Sequence, residues 1–439
     1  MSTDIVQAND PQLASFAPEV LCEIFLASIP SLGRIDGPRA QFPWEISHVC
    51  RHWRHSALAL PKLWAFLDLE QTQENEEPDT PDLNLLKTYL ERSGKHPLTF
   101  RLAYSQETIH GHPFLGCLFQ HSMRWRDVCI ESPALLAVES LSQGATSEFP
   151  LLRSLVCADC EFDSDAVSEG AILEPMPWAQ LQRYHEYECS WYPDDGRQWA
   201  ILAQLANVVD LRASFYGTGE DEYPDVIAMP HLRFAYFGVD RRADDLGIEE
   251  VLERFDLPRL EGLSVKMGED HDPDVLCPVP GQFKTLKVLR LCGKVEISNE
   301  ALTGILTEIP TLVDFAVELI GVDADHFFAL LTPRPDGVLV PQLQALRITP
   351  FARNDGTVDA LFAMLRARFG GVEGVEITRL RMFALYIRGV YKSKPSPMFT
   401  PSEMLNRLRS MKAHDKWDIR VDENSQEEFW KEDMDDEFI

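Results

Sequence analysis

The chain has 439 residues, 45% of them hydrophobic, which is enough apolar material for several domains or one long repeat array and disfavours global disorder. Its 41 lysines and arginines face 70 aspartates and glutamates, which gives a net charge of −29. Such a charge repels phosphate backbones and anionic lipid surfaces, so we expect neither nucleic acid nor a membrane among the partners.

The N-terminal residues 1–12 are polar and acidic, without the basic and apolar regions of a secretory leader. No apolar run long enough to span a bilayer follows. The nine cysteines are an odd number without a tight framework, which is typical of reduced thiols. We therefore expect a cytoplasmic and/or nuclear protein without a structural disulfide.

The first clear element is an amphipathic helix that begins at Pro18. Proline suits the first helical position because its missing N–H would have no partner there, and Glu19 lies near the positive end of the helix dipole. Apolar residues recur at helical spacing at Val20, Leu21, Ile24, Phe25 and Ile29.

A second helix is predicted farther along the chain, where Pro61 limits its length. One stripe of this helix carries Ile46, Val49, Cys50, Trp53 and Ala57. The glycine- and proline-containing insertion over residues 30–43 indicates a loop between the two helices.

Three clusters of this region resemble, in order, the motifs of the F-box domain, most closely those of the large fungal group. Residues 16–21 resemble the Leu-Pro-x-Glu-Ile-Leu opening of the family, with Phe16 and Ala17 in place of Leu-Pro. Residues 49–53, Val-Cys-Arg-His-Trp, are similar to its Val-Cys-Arg-x-Trp cluster, and residues 61–64, Pro-Lys-Leu-Trp, to its Pro-x-Leu-Trp cluster.

An F-box is a short helical unit that docks on the adaptor of a cullin-based ubiquitin ligase. The resemblance therefore implies a non-catalytic substrate receptor that reaches a Skp-family adaptor and cullin through this unit. The adaptor-binding residues that it implies are Phe16, Pro18, Glu19, Val20, Leu21, Ile24, Phe25, Val49, Cys50, Trp53, Leu63 and Trp64. Some of them must also form the core of so small a unit.

Residues 13–70 make up the predicted helical domain, and the acidic, proline-containing residues 71–82 indicate a linker. After the linker, apolar residues at helical spacing are followed by Arg92 and Gly94, which indicates a helix end. Residues 98–104 alternate apolar and polar side chains and predict a strand. We expect residues 83–124 to cap the following domain at its N-terminal end.

From Trp125 onward, a phrase of the type L-x-x-L-x-L returns with a mean spacing of about 27 residues, inside the leucine-rich-repeat range. Alternation at the end of each phrase predicts a short strand, and helical patterns lie between the phrases. The first apolar positions of the copies are Trp125, Leu152, Leu181, Val208, Leu232, Leu260, Leu286, Leu312, Leu343 and Val372.

Residues 125–399 resemble a degenerate form of the leucine-rich-repeat domain that is joined to F-boxes in many substrate receptors. The predicted fold class is therefore α/β, with an all-helical F-box followed by a leucine-rich-repeat-like α/β solenoid that has a curved parallel sheet. The alternative is an ordinary α/β domain with evenly spaced strands, although irregular folds rarely keep one period over so many copies.

The C-terminal end has two further features. Residues 400–403, Thr-Pro-Ser-Glu, form a capping box with proline at the first helical position, so residues 400–420 are predicted to form a C-terminal cap helix. The strongly acidic residues 421–439 are predicted to be a disordered tail.

The third and fifth positions of each phrase alternate away from the core and should line the concave face of the solenoid. Aromatic residues and arginine dominate protein-binding hot spots. The candidates for substrate binding are therefore Arg183, Arg212, Phe234, Tyr236, Arg290 and Arg347. The open alternative is that a loop or the C-terminal tail covers Phe234 and Tyr236.

Cys157, Cys160, His185 and Cys189 have the outline of a zinc site. The repeat explains them differently, because Cys160 and Cys189 both fall at the ninth position of a phrase, where leucine-rich repeats place Asn or Cys, and Cys157 falls at an inward position. The sequence also holds no nucleotide-binding or hydrolase motif. We expect no metal, no cofactor and no enzymatic activity.

These patterns together predict the substrate-recognition subunit of an SCF-type cullin-RING E3 ubiquitin ligase, which holds an unknown protein substrate on its repeat domain. The alternative is a scaffold or adaptor outside the ubiquitin system, in which the F-box-like helices are only a structural cap. A third possibility is an enzyme with an unrecognised site, which would require a pocket with converging titratable groups.

Overall fold

The computed structural model describes residues 16–29, 42–71, 80–104, 113–131, 148–158, 161–162, 176–187, 189–191, 197–216, 226–240, 248–267, 283–293, 298–318, 323–335, 337–348, 355–386, 401–415 and 417–422. Most of the predicted insertion, most of the predicted linker, Cys160 and the acidic tail beyond residue 422 lie outside these residues.

The structure is α/β with a large parallel sheet, which confirms the α/β part of the predicted fold class. The chain divides into two compact units, residues 1–177 and 178–439. The helices described are α1 (Pro18–Ala27), α2 (Phe42–Val49), α3 (Arg51–Leu58), α4 (Thr80–Arg92), α5 (Pro113–Phe119), α6 (Arg197–Leu202), α7 (Ile248–Glu253), α8 (Asn299–Glu308), α9 (Ala324–Leu331), α10 (Asp355–Gly370) and α11 (Pro401–Asp415).

Among the described residues, the first unit has a run of four strands paired in parallel and the second unit has a run of nine. The strands of the first unit are β1 (Phe66–Gln71), β2 (Leu98–Tyr104), β3 (Trp125–Glu131) and β4 (Ser154–Ala158). The strands of the second unit are β5 (Arg183–Tyr187), β6 (Asp210–Tyr216), β7 (Phe234–Asp240), β8 (Gly262–Met267), β9 (Val288–Gly293), β10 (Asp314–Val317), β11 (Ala345–Ile348), β12 (Met382–Tyr386) and β13 (Asp418–Asp422).

Three short helices, α1 to α3, open the first unit. Helix α1 begins at Pro18 as predicted. The prediction of a single second helix is wrong at Cys50, where the extended backbone (φ −157°) separates α2 from α3. Cys50 Sγ accepts a hydrogen bond from the Trp53 N–H at 3.4 Å, so the thiol caps α3 where a hydroxyl or carboxylate is more usual.

The core of this helical module is aromatic. Phe25 of α1 meets Trp53 of α3 edge to face, with the ring centroids 5.3 Å apart. Trp64 follows α3 in a short 3₁₀ helix, is fully buried, and donates from its indole N–H to the Ala57 carbonyl at 2.8 Å.

Helix α4 shares this core. The rings of Trp64 and Tyr89 lie 5.1 Å apart, and the Arg92 guanidinium lies 4.4 Å from the Trp64 ring centroid and 4.5 Å from that of Trp44. Burial raises the pKa of the Tyr89 phenol, against the opposing effect of Arg92. The helical module and α4 therefore share one side-chain core.

Strand β1 follows the helical module directly, where the sequence had suggested the end of a helical domain. Leu67 faces the core, and Asp68 on the other face lies 3.1 Å from the Arg101 guanidinium of β2. The same guanidinium lies 2.6 Å from a carboxylate oxygen of Glu131 on β3. The helix and strand predicted for the segment after the linker are confirmed as α4 and β2.

In the second unit, strand order follows chain order, and each strand from β5 to β13 pairs in parallel with the next. Each strand from β5 to β11 is preceded by a buried residue whose N–H closes a turn onto the carbonyl three residues earlier. The Leu286 N–H, for example, bonds the Phe283 carbonyl at 3.0 Å. These residues are predicted first positions of the repeat: Leu181, Val208, Leu232, Leu260, Leu286, Leu312 and Leu343.

Before each strand from β6 to β11, the residue after the buried turn residue bonds its equivalent in the preceding copy. The Lys287 N–H bonds the Glu261 carbonyl at 2.7 Å, and the Glu261 N–H bonds the Arg233 carbonyl at 2.8 Å. A backbone hydrogen-bond ladder therefore fixes the register of successive strands before each strand begins.

The predicted last copy, at Val372, is wrong. The backbone ladder reaches Arg381, which bonds the Gln344 carbonyl at 2.7 Å, so the buried Leu380 occupies the first position and β12 follows it. The shift arises because α10 continues to Gly370 and is followed by two glycines with left-handed backbone, Gly371 (φ 82°) and Gly374 (φ 78°).

A C-terminal helix is present as α11, which begins at Pro401, but it ends at Asp415, so the predicted helical span of residues 400–420 is too long. Residues 421 and 422, predicted to belong to the disordered tail, lie in a strand. The sequence analysis missed the strand after it. Strand β13 pairs in parallel with β12, and Ile419 of β13 is buried. The last helix thus belongs to a further helix-and-strand unit of the sheet.

Arg368, fully buried near the end of α10, holds three carbonyl groups in place. It donates to the carbonyls of Leu331 at 2.8 Å, Leu339 at 2.7 Å and Val340 at 3.0 Å, and burial lowers its pKa to about 10.

We expect Arg368→Leu to lower the free energy of unfolding, measured by urea denaturation, by about 3 kcal/mol, because the carbonyls lose their donors. The exposed Arg366→Leu control should change it by less than about 0.5 kcal/mol, and equal losses would refute this anchoring role.

Candidate functional site

The helical module exposes a stripe of large apolar side chains. Phe16, Val20 and Ile24 are spaced four residues apart along α1 and its start, and they are 41%, 45% and 42% exposed. Side chains four residues apart lie on the same side of a helix. The opposite side of α1 carries Leu21 and Phe25, which are buried.

The other predicted adaptor-binding residues divide into exposed and buried groups. Pro18, Glu19 and Val49 are exposed, and Cys50 and Trp53 are half-buried. Leu63 and Trp64 are buried in the shared core. Leu58, which the sequence analysis did not select, is 44% exposed at the end of α3.

One hydrogen bond joins the start of the exposed stripe to α3. His52 Nε2 lies 2.9 Å from the Phe16 carbonyl oxygen, and α1 and α3 also meet through Phe25 and Trp53. The exposed end of the stripe is thus held against α3 at Phe16. The four buried residues Leu21, Phe25, Leu63 and Trp64 support this surface from within.

In the second unit, side chains on the face of the sheet opposite the helix-packed core form a cluster of arginine and aromatic residues. The Arg212 guanidinium of β6 lies between two rings, 4.1 Å from the Tyr187 centroid and 4.7 Å from the Tyr236 centroid. The strand register sets Arg212 opposite His185 on one side and Tyr236 on the other. Parallel strands in register therefore build this stack.

Asp210 neutralises the edge of the cluster. Its carboxylate oxygens lie 3.1 Å from Arg183 Nε and 2.9 Å from His185 Nε2. Burial by itself would raise the pKa of Asp210, but His185, Arg183 and Arg212 outweigh burial and lower it. Burial lowers the pKa of His185, against the attraction of Asp210.

The neutral form of His185 fits both of its contacts. Nε2 lies 2.9 Å from an Asp210 carboxylate oxygen, and Nδ1, which lies 3.4 Å from the Tyr187 hydroxyl, accepts a hydrogen bond from it when the ring proton is on Nε2. His185 therefore links the carboxylate of Asp210 to the aromatic stack.

A trough of small residues lies beside the stack. Its floor is Gly262 and Ser264 of β8, and its walls are Phe234 and Tyr236 of β7 on one side and Val288 and Arg290 of β9 on the other. We call it the β8 trough. Together with the neighbouring stack, it lines a cavity of about 50 Å³, which has room for a few water-sized groups.

The structure brings four of the six predicted substrate-binding residues to this place. Arg212, Phe234, Tyr236 and Arg290 line the same cavity, and Arg183 joins them through Asp210. The sixth residue, Arg347, does not line it. Arg347 and Arg290 are both buried, and Arg347 makes an ion pair with Asp314 of β10.

Sequence reasoning missed two members of this site, Tyr187 and Ser264. Ser264 occupies the fifth position of the phrase that begins at Leu260, so the alternation rule selects it, but a search for aromatic and charged residues passes over serine. Tyr187 lies at the end of β5, two residues beyond the positions examined.

Within the part of the chain that the structure describes, no three histidine, cysteine or acidic side chains are grouped so that they could hold a metal ion. No helix in the described ranges is both long enough and apolar enough to cross a bilayer.

The lowered pKa of His185 predicts a pH dependence of stability. The folded protein binds this proton less readily than the unfolded chain, so the contribution of His185 is intact above the unfolded pKa of about 6.5 and is lost as pH falls below it. We expect the free energy of unfolding, measured by urea denaturation, to fall less between pH 7 and pH 5 in His185→Gln than in the wild type. His231→Gln, at an exposed histidine, is the matched control, and parallel pH profiles for wild type and His185→Gln would contradict the prediction.

No model of a known protein family matches the chain, and no curated protein matches it. The two surfaces just described therefore carry the functional argument by themselves.

Proposed function

We propose that the chain is the substrate-recognition subunit of an SCF-type cullin-RING E3 ubiquitin ligase. In this proposal, the helical module docks on a Skp-family adaptor, and the second unit binds the protein to be ubiquitylated. The observation that carries the proposal is the exposed stripe of Phe16, Val20 and Ile24 on a module that already has a core, formed by Leu21, Phe25, Leu63 and Trp64.

The exposed stripe does not contribute to the packing of the helical module. Leu21 and Phe25 on the other side of α1 are buried, so the packing of α1 does not require Val20 or Ile24. Burial of each such side chain against a partner would contribute about 1.5–3 kcal/mol. Contiguous exposed apolar side chains of this kind mark protein interaction sites.

The F-box resemblance of the sequence agrees with this surface. The apolar residues of α1 divide into buried core residues and the exposed stripe. The exposed residues are the proposed adaptor contacts: Phe16, Val20, Ile24 and Val49, with the exposed Pro18 and Glu19 beside them. Leu21, Phe25, Leu63 and Trp64 then act from within by holding the contact surface in place.

The second unit suits the role of target receptor. Its strands follow chain order, and a buried turn residue recurs before seven of them, which supports a leucine-rich-repeat-like solenoid. The face of the sheet opposite the helices carries the half-buried Arg212, Phe234 and Tyr236, and aromatic residues and arginine dominate protein-binding hot spots. In this reading the chain itself has no catalytic role and uses no cofactor.

A second function has one observation in its favour. Trp44 and Trp64 pack with Tyr89 and Arg92 of α4, so the helical module covers the beginning of the sheet of the first unit as a cap would. The chain would then be a scaffold outside the ubiquitin system. A cap alone does not require the exposed stripe on α1.

Co-purification with a Skp-family adaptor tests the choice between the two functions. We expect the full-length wild type to retain the adaptor and the double variant Val20→Asp, Ile24→Asp to lose it, because two charges would be buried without partners at the interface. Both residues are exposed in the free chain, so the variant should unfold at the temperature of the wild type within a few degrees.

Val226→Asp is the matched control. Val226 is 59% exposed in the second unit, so the same change of chemistry should leave adaptor binding intact. Retention of the adaptor by the folded double variant, or failure of the wild type to bind any Skp-family adaptor, would favour the scaffold.

A further inference from the structure

We propose that the acidic residues 432–437 of this chain, Glu-Asp-Met-Asp-Asp-Glu, bind to a row of exposed cations at one edge of the second unit. The cations lie on the turns before β7, β8 and β9, and we call them the turn ridge: Arg233, Arg259, Lys284 and Lys287. Residues 432–437 lie outside the described residues. The inference does not depend on the proposed function, because it concerns a contact between two parts of one chain.

The turn ridge reverses the charge balance of the chain. Residues 230–234, 256–262 and 283–288 contain four lysines and arginines and two carboxylates, whereas the whole chain has 41 lysines and arginines against 70 aspartates and glutamates. All four cations of the ridge are exposed. Charges farther away than about 10 Å are largely screened, so the ridge attracts a short acidic segment although the chain carries −29.

Backbone hydrogen bonds hold the turns of the ridge side by side. The Lys287 N–H bonds the Glu261 carbonyl at 2.7 Å, and the Glu261 N–H bonds the Arg233 carbonyl at 2.8 Å. These three residues therefore follow one another along the edge of the sheet at the strand spacing of about 4.8 Å. Arg259 and Lys284 belong to the same turns, two and three residues earlier in the chain.

The turn ridge already holds one carboxylate. The carboxylate oxygens of Glu261 lie 2.8 Å from Arg233 Nε and 2.9 Å from Lys287 Nζ. Hydrogen bonds from these two side chains lower the pKa of Glu261 to about 2. Arg259 and Lys284 make no ion pair with any residue that the structure describes. Two cations beside the Glu261 cluster are therefore available for further carboxylates.

Residues 432–437 have the composition that this surface requires. They hold five carboxylates in six residues, and no other six-residue stretch of the chain holds as many. Exposed ion pairs are weak one at a time. Several carboxylates on one tether act together, because the tether keeps their effective concentration at the ridge high.

The chain is long enough to make the contact. Asp422 ends β13, four strands from β9, and the register places it five residues along the strands from the row of Lys287. These offsets separate Asp422 from the ridge by about 25 Å. The ten residues from 423 to 432 span at most about 36 Å, whereas the five residues from 423 to 427 span at most about 18 Å. The carboxylates from Glu432 onward therefore reach the ridge.

The turn ridge borders the proposed target surface. The Arg233 guanidinium lies 5.2 Å from the ring centroid of Phe234, which is half-buried. A target on Phe234 and residues 432–437 on the ridge would therefore compete for the same space.

Zero-length carbodiimide cross-linking of the full-length chain, followed by mass spectrometry of the digest, tests the inference. The reagent joins an amine to a carboxylate only where the two groups touch. We expect Lys284 and Lys287 to be joined to residues 432–437 about fivefold more often than Lys266 is. Lys266 is the matched control, because it is exposed at the end of β8, away from the ridge, and lies about 24 Å from Asp422.

A charge variant tests the ridge without removing any reactive group. Arg259→Gln leaves every lysine and carboxylate in place, so the yield at Lys284 and Lys287 should fall about threefold only if the ridge attracts the segment. Arg366→Gln, at an exposed arginine of α10, is the control and should leave the yield unchanged. Both arginines are exposed, so both variants should remain folded.

Four results would overturn the inference. They are equal cross-linking of Lys266 and the ridge lysines, no cross-link to residues 432–437, cross-links from the ridge to other carboxylates only, and an unchanged yield in Arg259→Gln. In a mixture of isotope-labelled and unlabelled chains, mixed pairs would instead assign the ridge to the acidic segment of a second copy. Adaptor co-purification is measured separately, so its failure would refute the proposed ligase function and leave this contact standing.

Discussion

The buried turn before each strand from β5 to β11 is the constraint on which the second unit depends. One apolar side chain enters the core while its N–H closes the turn, and the next residue bonds its equivalent in the preceding copy, as Lys287 does to Glu261. In the copies that precede β6 to β11, the position of the strand and its register are thus set at the same place. The alternation of side chains along the strand then decides which residues face the helices and which remain on the open face.

The face of the sheet opposite the helices carries the side chains that the turns do not bury. On β5 to β9, arginine and aromatic side chains surround a strand whose own residues there, Gly262 and Ser264, are small. The first unit is stabilised differently, because its helical module has a small core and packs Trp64 against Tyr89 of α4. The exposed stripe of this module packs against neither α4 nor its own core, and the proposed function assigns the stripe to a partner.

Sequence patterns predicted the α/β class, the start of α1, and the buried residues before β5 to β11, because each depends on local spacing. The patterns failed where a distant contact or an unusual residue determines where an element begins or ends. Cys50 ended a helix because its thiol can cap one, which a stripe of apolar positions does not reveal. The spacing predicted a repeat position at Val372. The strand instead follows Leu380, because α10 is long and is followed by two glycines with left-handed backbone. Ser264 was missed because small polar residues give no signal until their neighbours are known.

The position of Arg92 between two indoles has a practical consequence for dissecting this molecule. Composition suggests a cut near residue 70, where acidic residues and prolines begin. A fragment ending there would keep Trp44 and Trp64 but lose Tyr89 and Arg92, so two large rings would meet water, and the complementary fragment would lose the other half of the contact. The smallest portion that can represent the N-terminal helices faithfully therefore extends through α4.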